Sequence, residues 1–180
     1  TTVIDKNIFN IAVNGNFDDC QKIVKELFVD DEIQKSTSLT AVNSINWARL
    51  IAQVVYYFWA YLQTDKDKIN FIVPSGNFGN IFSAFVAKQM GLPIGYLHIA
   101  TNSNDILKSI VDNGEMKKKS VSQTYSPSMD IQVSSNFERQ IFESLNRDSN
   151  KLNEIFETFS SNGFYQFDDA VLAKFQQIYK

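Results

Sequence analysis

The stretch Ile69-Asn70-Phe71-Ile72-Val73-Pro74-Ser75-Gly76-Asn77-Phe78-Gly79-Asn80-Ile81-Phe82 decides the fold. Ile69 to Pro74 is a short apolar run that reads as a buried strand. Ser75 to Asn80 interrupts it with glycines at 76 and 79, after which Ile81, Phe82, Phe85, Val86 and Met90 recur at helical spacing. Gly91 closes that helix near Pro93, and Gly95 to Ala100 supplies the next strand. A strand, a glycine loop, a helix and a second strand make a β-α-β unit. This predicts an α/β fold in which a parallel sheet, joined by a right-handed crossover, is flanked by helices.

Working outward, Ile8 to Val13 is an apolar run ending at Asn14-Gly15-Asn16, which predicts a strand and a turn. Asp18 and Asp19 then open a helix carrying Cys20, Ile23, Val24, Leu27 and Phe28 on one face, followed by a polar connection from Asp30 to Thr40. Ser44 to Gln63 carries the strongest helical signal, with Ile45, Leu50, Ile51, Val54, Val55, Phe58 and Leu62 in a stripe so broad that packing on more than one side is expected. The aromatic residues around that stripe read as core and contact surface. Asn104 to Val111 predicts a short helix ending at Asn113-Gly114. Glu115 to Ser135 reads as a long, mobile surface connection, and Asn136 to Leu145, Lys151 to Phe159 and Asp168 to Tyr179 as three helices. The expected division is an α/β portion over 1–115 that holds the glycine loop. A mobile connection plus a helical segment of an incomplete second region follows over 116–180.

Composition narrows the function classes. The 180 residues are 44% hydrophobic and 21% charged, values of a folded domain. Seventeen basic against twenty acidic residues give a net charge of −3, which disfavours a nucleic-acid or anionic-membrane binder. No apolar run is long enough to span a bilayer, and Thr1-Thr2-Val3-Ile4-Asp5-Lys6 lacks a signal-peptide layout, so a cytoplasmic location is expected. One cysteine, Cys20, excludes an internal disulfide, and one histidine, His98, makes a histidine-rich metal site or a serine-histidine triad unattractive. His98, in Tyr96-Leu97-His98-Ile99, reads as a structural histidine in an alternating strand.

A loop that follows a strand and opens a helix presents unpaired N–H groups at the positive end of the helix dipole, and glycines let the backbone approach a ligand closely. Gly76 and Gly79 are placed for this, Asn77 and Asn80 offer side-chain donors, and Asn80 is the expected N-cap. A carboxylate or phosphate is the guest such a loop suits, although a Gly-x-x-Gly turn also serves chain reversal alone. Neither the dinucleotide pattern nor the P-loop pattern is present. An RNA clamp built on Gly-x-x-Gly is disfavoured because no lysine or arginine lies between Asn70 and Ala87.

A second cluster, Asn43-Ser44-Ile45-Asn46-Trp47-Ala48-Arg49, heads the aromatic helix. Asn46 and Arg49 share a helix face. The cluster reads as a helix cap beside a surface arginine, or as a second anion site, since guanidinium and hydroxyl donors match phosphate oxygens.

Taken together, Val42-Asn43-Ser44-Ile45-Asn46-Trp47-Ala48-Arg49, Pro74-Ser75-Gly76-Asn77-Phe78-Gly79-Asn80, Ala100-Thr101-Asn102-Ser103-Asn104-Asp105, Ser126-Pro127-Ser128-Met129-Asp130 and Ser135-Asn136-Phe137-Glu138-Arg139 resemble threonine synthase, with all motifs in order. Asn16-Phe17-Asp18-Asp19-Cys20-Gln21 fits the same family. The resemblance implies the tryptophan synthase β-like fold, fold type II of the pyridoxal-phosphate enzymes. It also implies conversion of O-phospho-L-homoserine and water to L-threonine and phosphate. Ser75, Gly76, Asn77, Phe78, Gly79 and Asn80 would then form the cup for the phosphate of pyridoxal 5'-phosphate. Ser44, Asn46 and Arg49 would bind the substrate.

The family's Schiff-base lysine belongs to a P-T-x-x-F-K-D motif upstream of every segment matched here, and no lysine of this chain has that context. Lys88 is nearest the cup but lies well along the following helix and reads as a solvated residue. A G-T-A-H-P-like segment, which places a hydroxyl by the pyridine nitrogen, is absent too. The expectation is an interior portion of a threonine synthase that is inactive alone, binds the cofactor or phosphate weakly and exposes apolar surface. Two alternatives are a phosphate-binding or partner-binding module that lost the lysine, and a threonine-synthase-like phospholyase acting on another phosphorylated amine.

Overall fold

The computed structural model describes residues 4–15, 17–42 and 45–180, which form two compact units, 1–39 and 40–180. At residue 115, inside the second unit, the chain passes directly into a paired strand.

In the first unit, α1 (Phe17–Val29) follows the predicted helix and carries Cys20. The polar connection after it contains a second helix, α2 (Asp31–Ser36), because the Asp30 carboxylate accepts from the N–H groups of Glu32 at 2.9 Å and Ile33 at 3.0 Å. Residues 8–13 do not form the expected strand and are exposed. A strand persists only against a partner, and among the described residues none pairs with this run.

In the second unit, β1 (Ile69–Pro74) and β2 (Ile94–Ala100) pair in parallel, and α4 (Gly79–Gln89) connects them and packs on both. The register slips between Ile69 and Phe71. There the side-chain oxygen of Asn70 takes the Tyr96 N–H at 2.7 Å, and a Cβ on Gly95 would lie 2.1 Å from that oxygen. The chain end extends the sheet: Lys180 N–H donates to Leu97 O at 3.0 Å and Ile99 N–H to Lys180 O at 2.9 Å.

Three further packing relations position the site. Helix α3 (Trp47–Leu62) lies on α4 through Leu50, Val54 and Tyr57, and buried Ser83 donates to Leu50 O at 2.8 Å across the contact. The other faces of α3 are open, with Val55, Trp59 and Leu62 all more than 60% exposed, so the helix packs on one side only. Leu50, Val54 and Tyr57 make a single i, i+4, i+7 stripe, and the apolar residues beside it have no second surface in this unit. Next, α5 (Ile106–Asn113) ends at Gly114 in the left-handed region, and a short antiparallel pair, β3 (Glu115–Lys117) with β4 (Phe164–Gln166), follows. Finally, α6 (Phe137–Ser144), α7 (Ser149–Asn162) and α8 (Asp169–Ile178) return to the same core, α6 against α4 and α8 against β2. Residues 140–180 therefore belong to the packed unit. Among the described residues no helix is long and apolar enough to cross a membrane.

Candidate functional site

The glycine loop sits at the C-terminal end of β1, and its conformation is set by burial of a side chain inside it. Phe78 precedes α4 with φ 63°, in the left-handed region. That conformation costs a non-glycine residue about 1–2 kcal/mol. Its ring, only 1% exposed, meets Phe137 edge-on at 4.9 Å and Tyr179 at 5.3 Å between centroids. Burial of such a ring stabilises by about 1.5–3 kcal/mol, which outweighs the strain. Phe78, not the expected Asn80, is thus the N-cap, and no side chain caps the helix. The first-turn N–H groups of α4 consequently have no carbonyl within the helix and no capping side chain to bond.

The rest of the loop is held by its backbone. Ser75 is buried, its N–H on Ala100 O at 2.8 Å and its hydroxyl on Val73 O at 2.9 Å, so its side chain serves the turn. Asn77 O accepts from both the N–H and the Nδ2 of Asn136 at 3.1 Å each, while Asn77 Oδ1 accepts from the Ser135 hydroxyl at 3.1 Å. Exposed Asn80 is in the first turn of α4, where its main-chain and side-chain oxygens accept from the Tyr57 hydroxyl, the former at 3.0 Å. Burial raises the pKa of that hydroxyl and keeps it a donor.

The loop also has a roof. A Cβ on Gly76 would lie 2.9 Å from Ile131 Cδ1 and 3.4 Å from Met129 Cα, so 129–131 lies directly over the turn. Asp130, between them, is a hub: its Oδ1 accepts from Asn102 Nδ2 at 2.8 Å, Asn104 Nδ2 at 3.2 Å and the Thr124 hydroxyl at 2.6 Å, and its Oδ2 from the Thr124 N–H at 3.0 Å. The hydrogen bond from the Thr124 hydroxyl, with smaller help from the Thr124 N–H and Asn102, holds this carboxyl below its usual range. Asn104, buried, also exchanges bonds with Ser122 and accepts from Gln132 Nε2 at 3.1 Å. The connection expected to be mobile is pinned to the end of β2 by these side chains. Asn102, Asn104 and Asp130 lie in segments that resemble the family, and nothing local in the sequence marks them as a hub.

In the second cluster, Asn46 caps α3, accepting from Ala48 N–H at 2.9 Å and donating through Nδ2 to Ala41 O at 2.6 Å. Arg49 is exposed and donates to Val42 O at 2.9 Å. Ser44 lies outside the described residues. The cap-plus-arginine reading describes Asn46 and Arg49 as they stand. The cluster is joined to the glycine loop by Arg139, whose Nε donates to Asn136 Oδ1 at 3.1 Å and whose NH2 donates to Ile45 O at 3.0 Å.

Lys88 is not the solvated residue expected. Its Nζ donates to Gly95 O, and burial, then the charge of Lys68, lowers its pKa. Nine residues of helix separate it from Gly79, roughly 14 Å at 1.5 Å per residue, so its amine serves the far end of the sheet.

This arrangement suits an anion. The N-terminus of an 11-residue helix carries about half a positive charge. No aspartate or glutamate occurs from Lys68 to Asn104, and the Asp130 carboxylate of the roof is taken up by donors from Asn102, Asn104 and Thr124. The donors are backbone N–H groups, the usual phosphate partners at such turns. The turn therefore fits a phosphate group such as that of pyridoxal phosphate, and Lys88, on the helix that the turn opens, is held at Gly95 O.

No family model matches the chain. It is 47% identical over 171 residues to threonine synthase of Pseudomonas aeruginosa, covering 94% of this chain and 36% of the relative. The crystal structure of pyridoxal-phosphate-bound threonine synthase from Brucella melitensis matches with a TM-score of 0.82 at 46% identity, over 93% of this chain and 36% of that one. Yeast threonine synthase matches with a TM-score of 0.86 at 42% identity, over all of this chain and 38% of that one. The α/β fold is thus that of the threonine synthases, the tryptophan synthase β-like fold. In sequence and structure the chain is a homologue of the threonine synthases, spanning about a third of their length.

Proposed function

We propose that this chain supplies the cofactor-phosphate cup and part of the substrate site of a threonine synthase, a cytoplasmic enzyme that converts O-phospho-L-homoserine and water to L-threonine and phosphate. The observation that carries this reading is the turn at Gly76 to Asn80, which opens α4 without a capping side chain, in a chain 47% identical to a threonine synthase. When bound, pyridoxal phosphate supplies an electron sink for carbanionic carbon of the amino acid.

The residues of this chain bind and orient. Backbone N–H groups of Gly76 to Asn80 hold the cofactor phosphate, Ser75 and Phe78 fix the turn, and Asn77 and Asn80 lie at its rim. Ser44, Asn46 and Arg49 receive the phosphate of the substrate, the guanidinium of Arg49 supplying charge. Proton transfer needs a lysine amine, and Lys88 is committed to Gly95 O. The chain alone accordingly binds the cofactor without turning substrate over.

Adding pyridoxal phosphate to the chain and reducing with borohydride tests this. The expected result is saturable binding, displaced by inorganic phosphate, with no lysine labelled stoichiometrically. Binding indifferent to phosphate, or stoichiometric labelling of Lys88, would contradict the reading.

A further inference from the structure

We propose that Arg139 is a positioning residue that ties the head of α3 to the glycine loop and so sets the separation of two anion subsites. Its guanidinium reaches both sides: Nε to Asn136 Oδ1 at 3.1 Å, NH2 to Ile45 O at 3.0 Å, and its central carbon 5.4 Å from the centroid of the Trp47 ring. Asn136, wholly buried, passes the contact on through its two bonds to Asn77 O. Ile45 and Trp47 flank Asn46, the cap of α3. One planar group thus joins Asn136 to Ile45, which lies 94 residues before Arg139 in sequence, with the fork of donors that lysine lacks.

Without Arg139 the two segments are not equally affected. Asn136 keeps its bonds to Asn77, so the cofactor cup stays formed. The head of α3 loses its charged donor at Ile45 O and the cation beside Trp47; Leu50 still holds the body of the helix on α4, so the loss falls on the N-terminal turn, where Asn46 and Arg49 stand. Arg139 therefore acts on substrate affinity more than on cofactor affinity.

This inference rests on the function proposed above and is tested in the holoenzyme that carries this chain. Arg139→Met and Arg139→Lys are compared with wild type for KM and kcat with O-phosphohomoserine, for inhibition by inorganic phosphate and for the Kd of pyridoxal phosphate. Arg139→Met is expected to raise KM and the phosphate inhibition constant about tenfold or more, the loss of a charge-assisted hydrogen bond, with the cofactor Kd near wild type. Arg139→Lys keeps the charge but not the fork and is expected to fall between. If Arg139→Met fails to fold, the lysine variant decides on the same readouts. An unmoved KM, or an equal loss of substrate and cofactor affinity, would overturn the proposal. A wild-type enzyme that neither binds pyridoxal phosphate nor turns over the substrate would overturn the underlying function and this inference with it, a result visible before any variant is made.

Discussion

Asn136 gives both its backbone N–H and its side-chain Nδ2 to the carbonyl oxygen of Asn77, each at 3.1 Å, although 59 residues separate the two. The pair of hydrogen bonds fixes the peptide after Asn77, whose orientation determines how the amides of the glycine turn are aimed. A wholly buried amide bonded to the turn holds its backbone in place, so the N–H groups that follow are aimed in advance.

Phe78 is the anchor of the turn. Phe78→Ala removes a ring packed on Phe137 and Tyr179 and is expected to destabilise the fold by about 3–5 kcal/mol, the usual cost of deleting a core aromatic. Denaturant unfolding followed by tryptophan fluorescence measures this, and a loss below 1 kcal/mol would show that the ring does not hold the loop.

Gly76→Ala tests the roof. The added methyl meets Ile131 Cδ1 at 2.9 Å, an overpacking expected to cost about 1–3 kcal/mol and to weaken phosphate binding. Ile131→Val in the same chain is expected to recover part of both losses, a coupling read from a double-mutant cycle.

Asp130 makes stability depend on acid. Its carboxyl titrates below the unfolded value when folded, so the stability it contributes is fully present above the unfolded pKa of about 3.9 and is lost as pH falls through the lower folded pKa. Asp130→Asn is expected to destabilise at neutral pH and to flatten the acid limb of stability against pH. Thermal unfolding from pH 7 down to strongly acidic conditions checks it, and an unchanged acid limb would place the sensitivity elsewhere.

Tyr57 does the reverse at high pH. Burial raises its pKa well above that of a free phenol, so its contribution is complete below about pH 10 and is lost as pH climbs toward the folded value. Tyr57→Phe is expected to cost about 1 kcal/mol at neutral pH, through the lost bond to Asn80, and to lessen alkaline unfolding.

Most of the second unit was legible because its signals are local. Strand, glycine loop and helix follow one another over 69–90, and each leaves its own periodicity or punctuation. The features that shape the site were not legible, because they join distant residues. Nothing near Phe78 indicates that its ring will be buried against Phe137 and Tyr179, and without that burial Asn80 is the better cap. Asn136 and Arg139 look like ordinary residues at the start of a helix. Their partners, Asn77 and Ile45, are 59 and 94 residues away. The three-residue strands β3 and β4 are too short to show alternation. The apolar run at 8–13 shows the opposite error, a local strand pattern without a described partner.

The cup itself is tested most directly by backbone amide shifts of the isotope-labelled chain titrated with pyridoxal phosphate and, separately, with inorganic phosphate. Both anions are predicted to move the amides of Gly76 to Asn80 together, saturably and in the same direction, while those of β3 and β4 stay in place. Shifts spread over the surface lysines, with the 76–80 amides unmoved, would contradict the account.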